Sequence, residues 1–257
     1  MTEPRSTGKL AGRTVLVTGA TSGIGLAVAQ RLVAEGAHVF ITGRRRAALD
    51  DAVAQLGANV TGIRADASDL DDLDRVFAAI EERGTGLDAL HANAGGGEFA
   101  AIADLSPKSF DTTFATNVRG TVFTVQKALP LLRDGGAIVI TGSTAASGGT
   151  PAFGVYAASK AAVHTFARTW AVELAGRGIR VNLVVPGPTE TPGLAGLAPT
   201  PEGAPALLAQ MASDVPLGRL IRPDEVADVV QFLISDSGRM ITGTEIFIDG
   251  GETARRG

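Results

Sequence analysis

The chain has 257 residues, a net charge of −4, 45% hydrophobic residues and no cysteine. That length fits one large domain or two small ones and suffices for a sizeable core. The acidic balance argues against a general nucleic-acid binder, and the missing thiols exclude disulfides and thiolate zinc sites, which suits a cytoplasmic protein.

The opening MTEPRSTGKL lacks an apolar signal core, and no later stretch is long enough to span a bilayer, so no membrane association is expected. TVLVTG (14–19) is a compact apolar run ending in glycine, as a buried parallel strand should be. Ile24, Val28, Leu32 and Val33 then share one side of a helix predicted over 24–35. HVFIT (38–42) predicts a strand, ALDDAVAQL (48–56) a helix, VTGIRAD (60–66) a strand, and residues 70–83 a helix. LDALHA (87–92), AIVITGS (137–143) and RVNLVV (180–185) predict further strands, separated by helices over 107–132 and 155–176. A helix over 223–234 and a strand TEIFID (244–249) close the pattern. Strand–helix alternation predicts an α/β fold, with residues 1–257 forming a single domain. Its architecture is a Rossmann-like, doubly wound parallel sheet of about seven strands with helices on both faces. Only the proline-rich stretch 186–218 breaks the rhythm. Residues 188–218 read as an irregular substrate lid after the sixth strand, or alternatively as a disordered excursion.

TGATSGIG (18–25) joins the first strand to the first helix. Gly19, Gly23 and Gly25 permit the turn and a close approach of diphosphate, with Thr21, Ser22 and Ile24 supplying the rest of the loop and the helix N-terminus. The second strand ends in Gly43, followed by Arg44, Arg45 and Arg46 with no acid before Asp50. A dinucleotide site for NAD usually places a carboxylate there, whereas arginine accommodates the 2′-phosphate of NADP. Gly43 removes the repelling carboxylate, and three cations beside a positive helix N-terminus want an anion. NADP(H) is therefore expected, with NAD(H) as the alternative; Arg44 is the first phosphate ligand, Arg45 the second, and Arg46 faces solvent. Asp66, with Ala67 after it, is placed to contact adenine or to cap the next helix.

Tyr156 is the only tyrosine, and Lys160 follows at a spacing that puts both on one helical face. A phenol titrates near pH ~10, so proton exchange at neutral pH needs roughly 4 kcal/mol of preferential phenolate stabilisation. A lysine one turn away, shielded from water, is expected to supply much of it. Ser143 follows the fifth strand, Asn117 sits mid-helix where asparagine is a poor helix former, and HANAG (91–95) ends the fourth strand at the same sheet edge.

With these motifs in order, the chain resembles the short-chain dehydrogenase/reductase family. The resemblance runs from Lys9 to Gly251. It rests on T-G-x-x-x-G-I-G at Thr18–Gly25, N-A-G at Asn93–Gly95, Asn117, Ser143, Y-x-x-x-K at Tyr156–Lys160, and P-G-x-x-x-T at Pro186–Thr191. It implies that Tyr156 exchanges a proton with a carbonyl or alcohol oxygen, that Ser143 hydrogen-bonds that oxygen, and that Lys160 lowers the tyrosine pKa and holds ribose. Asn117 would position a water that relays protons to solvent. Asn93, Ala94 and Gly95 would line the adenosine side, and Pro186, Gly187, Thr189 and Thr191 the nicotinamide end. Family members often carry a second asparagine where this chain has Ala92, which predicts altered packing. The resemblance also implies a homotetramer, with the helices bearing Asn117 and Tyr156 at an interface.

Other candidates carry less. His164 continues the Tyr156–Lys160 face and reads as a packing or subunit-contact histidine. His38 and His91 show no ligand spacing, and the acids of DASDLDDLD (66–74) lack the glycine and closing glutamate of a calcium loop, so no metal is assigned. Glu98 and Phe99 read equally as substrate mouth or exposed loop. Leu194, Leu197, Leu207, Leu208 and Met211 favour ketones or acyl chains over free sugars, or simply seal the lid. The expected activity is hydride transfer between NADP(H) and a carbonyl or secondary alcohol, as in a ketoreductase or carbonyl reductase. The rivals are an NAD(H)-dependent alcohol or sugar dehydrogenase and a non-catalytic dinucleotide sensor, which need not keep the proton-handling set.

Overall fold

The structure is a computed structural model that describes residues 8–256, so most of the N-terminal segment read above for a signal core lies outside the described residues. Its elements follow the predicted order. They are β1 (Thr14–Val17), α1 (Gly23–Ala34), β2 (His38–Gly43), α2 (Arg46–Leu56), β3 (Val60–Arg64), α3 (Leu70–Glu82) and β4 (Leu87–Ala92). Then come α4 (Pro107–Phe114), α5 (Gly120–Ala128), β5 (Leu132–Thr141), α6 (Gly154–Glu173) and β6 (Arg180–Pro186). Short α7 (Pro192–Ala195), α8 (Ala204–Asp214), α9 (Pro223–Ile234) and β7 (Glu245–Ile248) complete them.

All seven strands join one parallel sheet in the order β3-β2-β1-β4-β5-β6-β7. Strand residues alternate between faces, so neighbours along a strand enter different cores. Val15 and Val17 pack under α1, α2 and α9, while Leu16 packs with α3, α5 and α6 on the opposite face. Both cores are apolar because each strand is covered twice, which is why the strands read as unbroken hydrophobic runs. On the first face α1 lies directly against α9: Val28, Ala29 and Leu32 meet a helix that buries Val226, Val230 and Leu233.

Local signals explain several boundaries. Asp69 caps α3 by accepting the Asp71 and Asp72 N–H groups, and Ser106 caps α4, whose first residue is Pro107. Asp66 therefore does not cap α3; its carboxylate accepts the Ser68 N–H and hydroxyl in a local turn.

Two departures from the sequence reading matter for the site. The helix expected over 107–132 is interrupted by a π turn at Ala115–Arg119, ends at Ala128, and gives way to β5 from Leu132. The stretch 188–218 is not wholly irregular. It contains α7, a 3-10 turn at Pro201–Gly203 and the eleven-residue α8, whose APALLAQMASD is rich in helix formers. Thr189 at its start pairs with Ile221, just beyond its end, so the stretch leaves and rejoins the fold at one point. Among the described residues, no helix is long and apolar enough to cross a membrane.

Candidate active site

The order of the sheet reverses between β1 and β4, and the C-terminal ends of those strands open a crevice there. Gly19 (φ +63) and Gly23 (φ +55) hold the left-handed backbone that the β1–α1 turn needs. Ser22 precedes α1 without a side-chain cap, and no acid lies in the helix's first turn, so its leading N–H groups and dipole are available to an anion. Asn93 braces the loop, donating through Nδ2 to the carbonyls of Thr18 and Gly19, while the Thr18 hydroxyl accepts the N–H groups of Asn93 and Ala94. A side chain on Gly23 would come within 2.9 Å of Thr191, which caps α7, so the turn faces the chain leaving β6. Beside it Thr189 bonds the Gly187 carbonyl, just past Pro186 at the end of β6. The Gly-rich loop, Asn93–Gly95 and Pro186–Thr191 thus meet at one edge, as the sequence implied.

The adenosine end differs in one respect. Gly43 is not simply open space, because a Cβ there would collide with the Thr21 methyl. A side chain at position 43 would first have to displace the Thr21 methyl, whatever the ligand. The positive charge is nevertheless present. Arg44 is 69% exposed with its nearest carboxylate, Asp66, at 4.0 Å, and Arg45 precedes α2, which also lacks a side-chain cap and early acids. Arg46 turns away and pairs with Asp50 along the helix. Arg64, missed in the sequence, joins the group: strand register sets it beside Gly43, and its Nε donates to the Arg44 carbonyl. Ala67 is buried beneath this edge. Two uncapped helix starts and three guanidinium groups form a donor set suited to a diphosphate with a further phosphate beside it.

The chemical end gathers where β5 finishes. Tyr156 and Lys160 lie on α6, and Ser143 follows β5 with its Oγ accepting the Ala145 N–H. The protein does not depress the Tyr156 phenol: burial pushes its pKa up, and a hydrogen bond with Ser143 offsets this only in part. The Lys160 ammonium donates to the Thr141 carbonyl at 2.8 Å and stands 5.7 Å from the tyrosine ring centre. Burial in turn lowers Lys160 to about 8.

Asn117 occupies the π turn, the kind of helix irregularity that redirects a side chain. Its Oδ1 accepts the Gly96 N–H at 2.9 Å, and its Nδ2 donates to the Gly96 carbonyl and the Ser159 hydroxyl. The side chain is therefore engaged in stapling the loop after β4 to α6. Its main-chain carbonyl accepts the Thr121 hydroxyl. Ala92 is buried in the core beneath the site. Phe153 stacks on Tyr156 with 4.4 Å between ring centres, and Phe99 meets Phe153 at 4.8 Å. His38 bonds Thr61 and lies away from this edge. His91 is fully buried and bonds the Thr141 hydroxyl, with burial lowering its pKa to about 3.

The family model described as enoyl-(acyl carrier protein) reductase matches residues 19–253. The oxidoreductase asL5 of Sarocladium schorii is 40% identical over 245 residues, covering 95% of this chain and 96% of that protein. The chain belongs to the short-chain dehydrogenase/reductase family. Its architecture matches solved members of that family. A short-chain dehydrogenase from Burkholderia cenocepacia in complex with NADP superposes with a TM-score of 0.87 at 35% identity, covering 95% of this chain and 99% of that one. A 3-ketoacyl-(acyl-carrier-protein) reductase from Brucella melitensis complexed with NADH gives 0.88 at 30% identity, with the same coverage. This short-chain dehydrogenase/reductase is accordingly an oxidoreductase of that family.

Proposed function

We propose that the protein reduces a carbonyl group on a small, fairly apolar substrate at the expense of NADPH. The observation that carries this reading is the meeting of Ser143 and Tyr156 at the end of β5, one turn from buried Lys160, opposite an arginine-rich phosphate edge. When bound, the nicotinamide dinucleotide supplies or accepts the hydride. Gly19 to Gly25 would hold its diphosphate, Arg44 and Arg45 with Arg64 the ribose phosphate, and Asp66 and Ala67 the adenine. Asn93 to Gly95 would line the adenosine side of the cofactor, and Pro186, Gly187, Thr189 and Thr191 its nicotinamide end. An NADP-bound and an NADH-bound structure occur among similar proteins, so the arginines are what favour NADP here.

Tyr156, buried and hydrogen-bonded to Ser143, would give its proton to the carbonyl oxygen. Ser143 spends a lone pair on the Ala145 N–H, and its own proton can reach the same substrate oxygen and steady the charge that develops there. Lys160 would hold ribose and restore the tyrosine proton. A water at the Asn117 main-chain carbonyl would complete the path to solvent, since the Asn117 amide is already committed. Half-buried Leu194, Leu197, Leu207, Leu208 and Met211 would give the pocket an apolar cover, with residues 188–218 acting as the lid. We take residues 1–257 as one catalytic domain of a cytoplasmic homotetramer.

Tyr156→Phe tests the mechanism: turnover should fall by roughly 100- to 10,000-fold, with NADPH affinity nearly unchanged by fluorescence titration. Turnover close to that of the parent enzyme would remove Tyr156 as the proton donor.

A further inference from the structure

One turn beyond Lys160, α6 presents another polar side chain to the same strand end. His164 is 5% exposed. Its Nδ1 lies 3.1 Å from Glu245 Oε2 at the start of β7, and the Ser143 main-chain N–H meets its Nε2 at 3.4 Å.

These partners fix the tautomer. An amide N–H only donates, so Nε2 must carry the lone pair; a carboxylate only accepts, so the ring proton sits on Nδ1. A protonated ring would turn a donor towards the Ser143 N–H and lose that contact. Burial holds the ring neutral, helped by the charges of Lys160 and Arg168 on α6 and opposed by Glu245 from β7. Arg168 also pairs with Glu245, which keeps the carboxylate in place. Gly142, between Thr141 and Ser143, is fitted to the ring: a Cβ there would collide with Nε2 and lie 2.7 Å from Leu183 Cδ2.

We propose that His164 is a positioning residue. As a neutral acceptor locked by Glu245, it holds the backbone of Ser143 and so sets the direction from which the Ser143 hydroxyl meets the substrate oxygen. The inference rests on the reading of Ser143 given above.

The test compares His164→Leu, His164→Gln, Ser143→Ala and the Ser143→Ala/His164→Leu double variant by kcat, KM, NADPH Kd and melting temperature. Removing one neutral hydrogen bond from a preorganised site should lower kcat roughly five- to tenfold in His164→Leu, with KM and Kd within about twofold. Glutamine offers a carbonyl oxygen near the position of Nε2 and should recover most of that loss. The double variant should be no slower than Ser143→Ala alone, because His164 acts through Ser143. An unchanged kcat in His164→Leu, no recovery with glutamine, or the same fold loss in the Ser143→Ala background would each overturn the proposal. Parent-like turnover in Ser143→Ala is a different failure, since it removes the role of Ser143 before His164 is touched. If His164→Leu does not fold, Glu245→Gln keeps the ring in its cavity but frees its tautomer. It should lower kcat about two- to fivefold in the parent and not in Ser143→Ala; equal losses in both would overturn the proposal.

Discussion

Arg44 illustrates how little a surface ion pair neutralises. Its carboxylate partner is at the 4.0 Å limit and both groups see water, so the pair contributes at most a fraction of a kcal/mol. The guanidinium remains free to turn towards a phosphate, while Arg64 steadies the Arg44 main chain by donating to its carbonyl. Arg44→Ala should therefore weaken NADPH binding about 10- to 100-fold, the strength of a charge-assisted pair, and leave NADH within about twofold. Equal losses for both cofactors in parallel titrations would remove the case for a phosphate ligand. Gly43 adds nothing to that case, because a carboxylate at 43 would have to displace the Thr21 methyl first.

At the scale of elements, the π turn at Ala115–Arg119 ties three parts of the site together through one amide. Asn117→Ala would remove three hydrogen bonds at once, one to the buried Ser159 hydroxyl, which keeps its donation to the Tyr156 carbonyl, and two to the exposed main chain of Gly96. The expected cost is about 2–3 kcal/mol, or roughly 4–10 °C in melting temperature, together with a fall in kcat as the loop after β4 loosens. An unaltered calorimetric transition would show that the amide is not a staple. This is also where the sequence stops being readable. The strands and most helices were legible because burial on both faces leaves long apolar runs and helical spacing leaves its own period. The break in the 107–132 helix was not, since its cause lies with Gly96 and Ser159, distant in the chain. Asn117 stood out as a poor helix former, but its partners did not. The Tyr156–Lys160 interval put both residues on one face correctly, yet not the direction of the ammonium, which Thr141 sets. Likewise His164 reads in the sequence as a packing or subunit-contact residue, because Glu245 is supplied by the last strand. In 188–218, attention to prolines and glycines hid the good helix formers of α8.

At the scale of the whole molecule, the outer face of the helices that frame the site remains apolar. Phe110 stacks on Phe114, and a groove runs along Phe114, Val118, Val122 and Phe123, with Phe166 stacked on Trp170 along α6. Such a face fits the proposed homotetramer, with the helices bearing Asn117 and Tyr156 at the interface. Val122→Arg should lower the mass measured by light scattering while retaining most of the secondary structure seen by circular dichroism; an unchanged mass would place the interface elsewhere. The contact between α1 and α9 has a consequence during synthesis. Among the described residues, the first α-helix is covered by the last, with Arg31 also reaching Asp228. Until residues 223–234 emerge, Val28 and Leu32 lack their α9 partners, and a nascent chain carries a bare apolar stripe through the synthesis of roughly 190 residues. Chaperone binding and aggregation of truncated products should concentrate on α1, and closure of that helix pair ends the exposure of its apolar stripe.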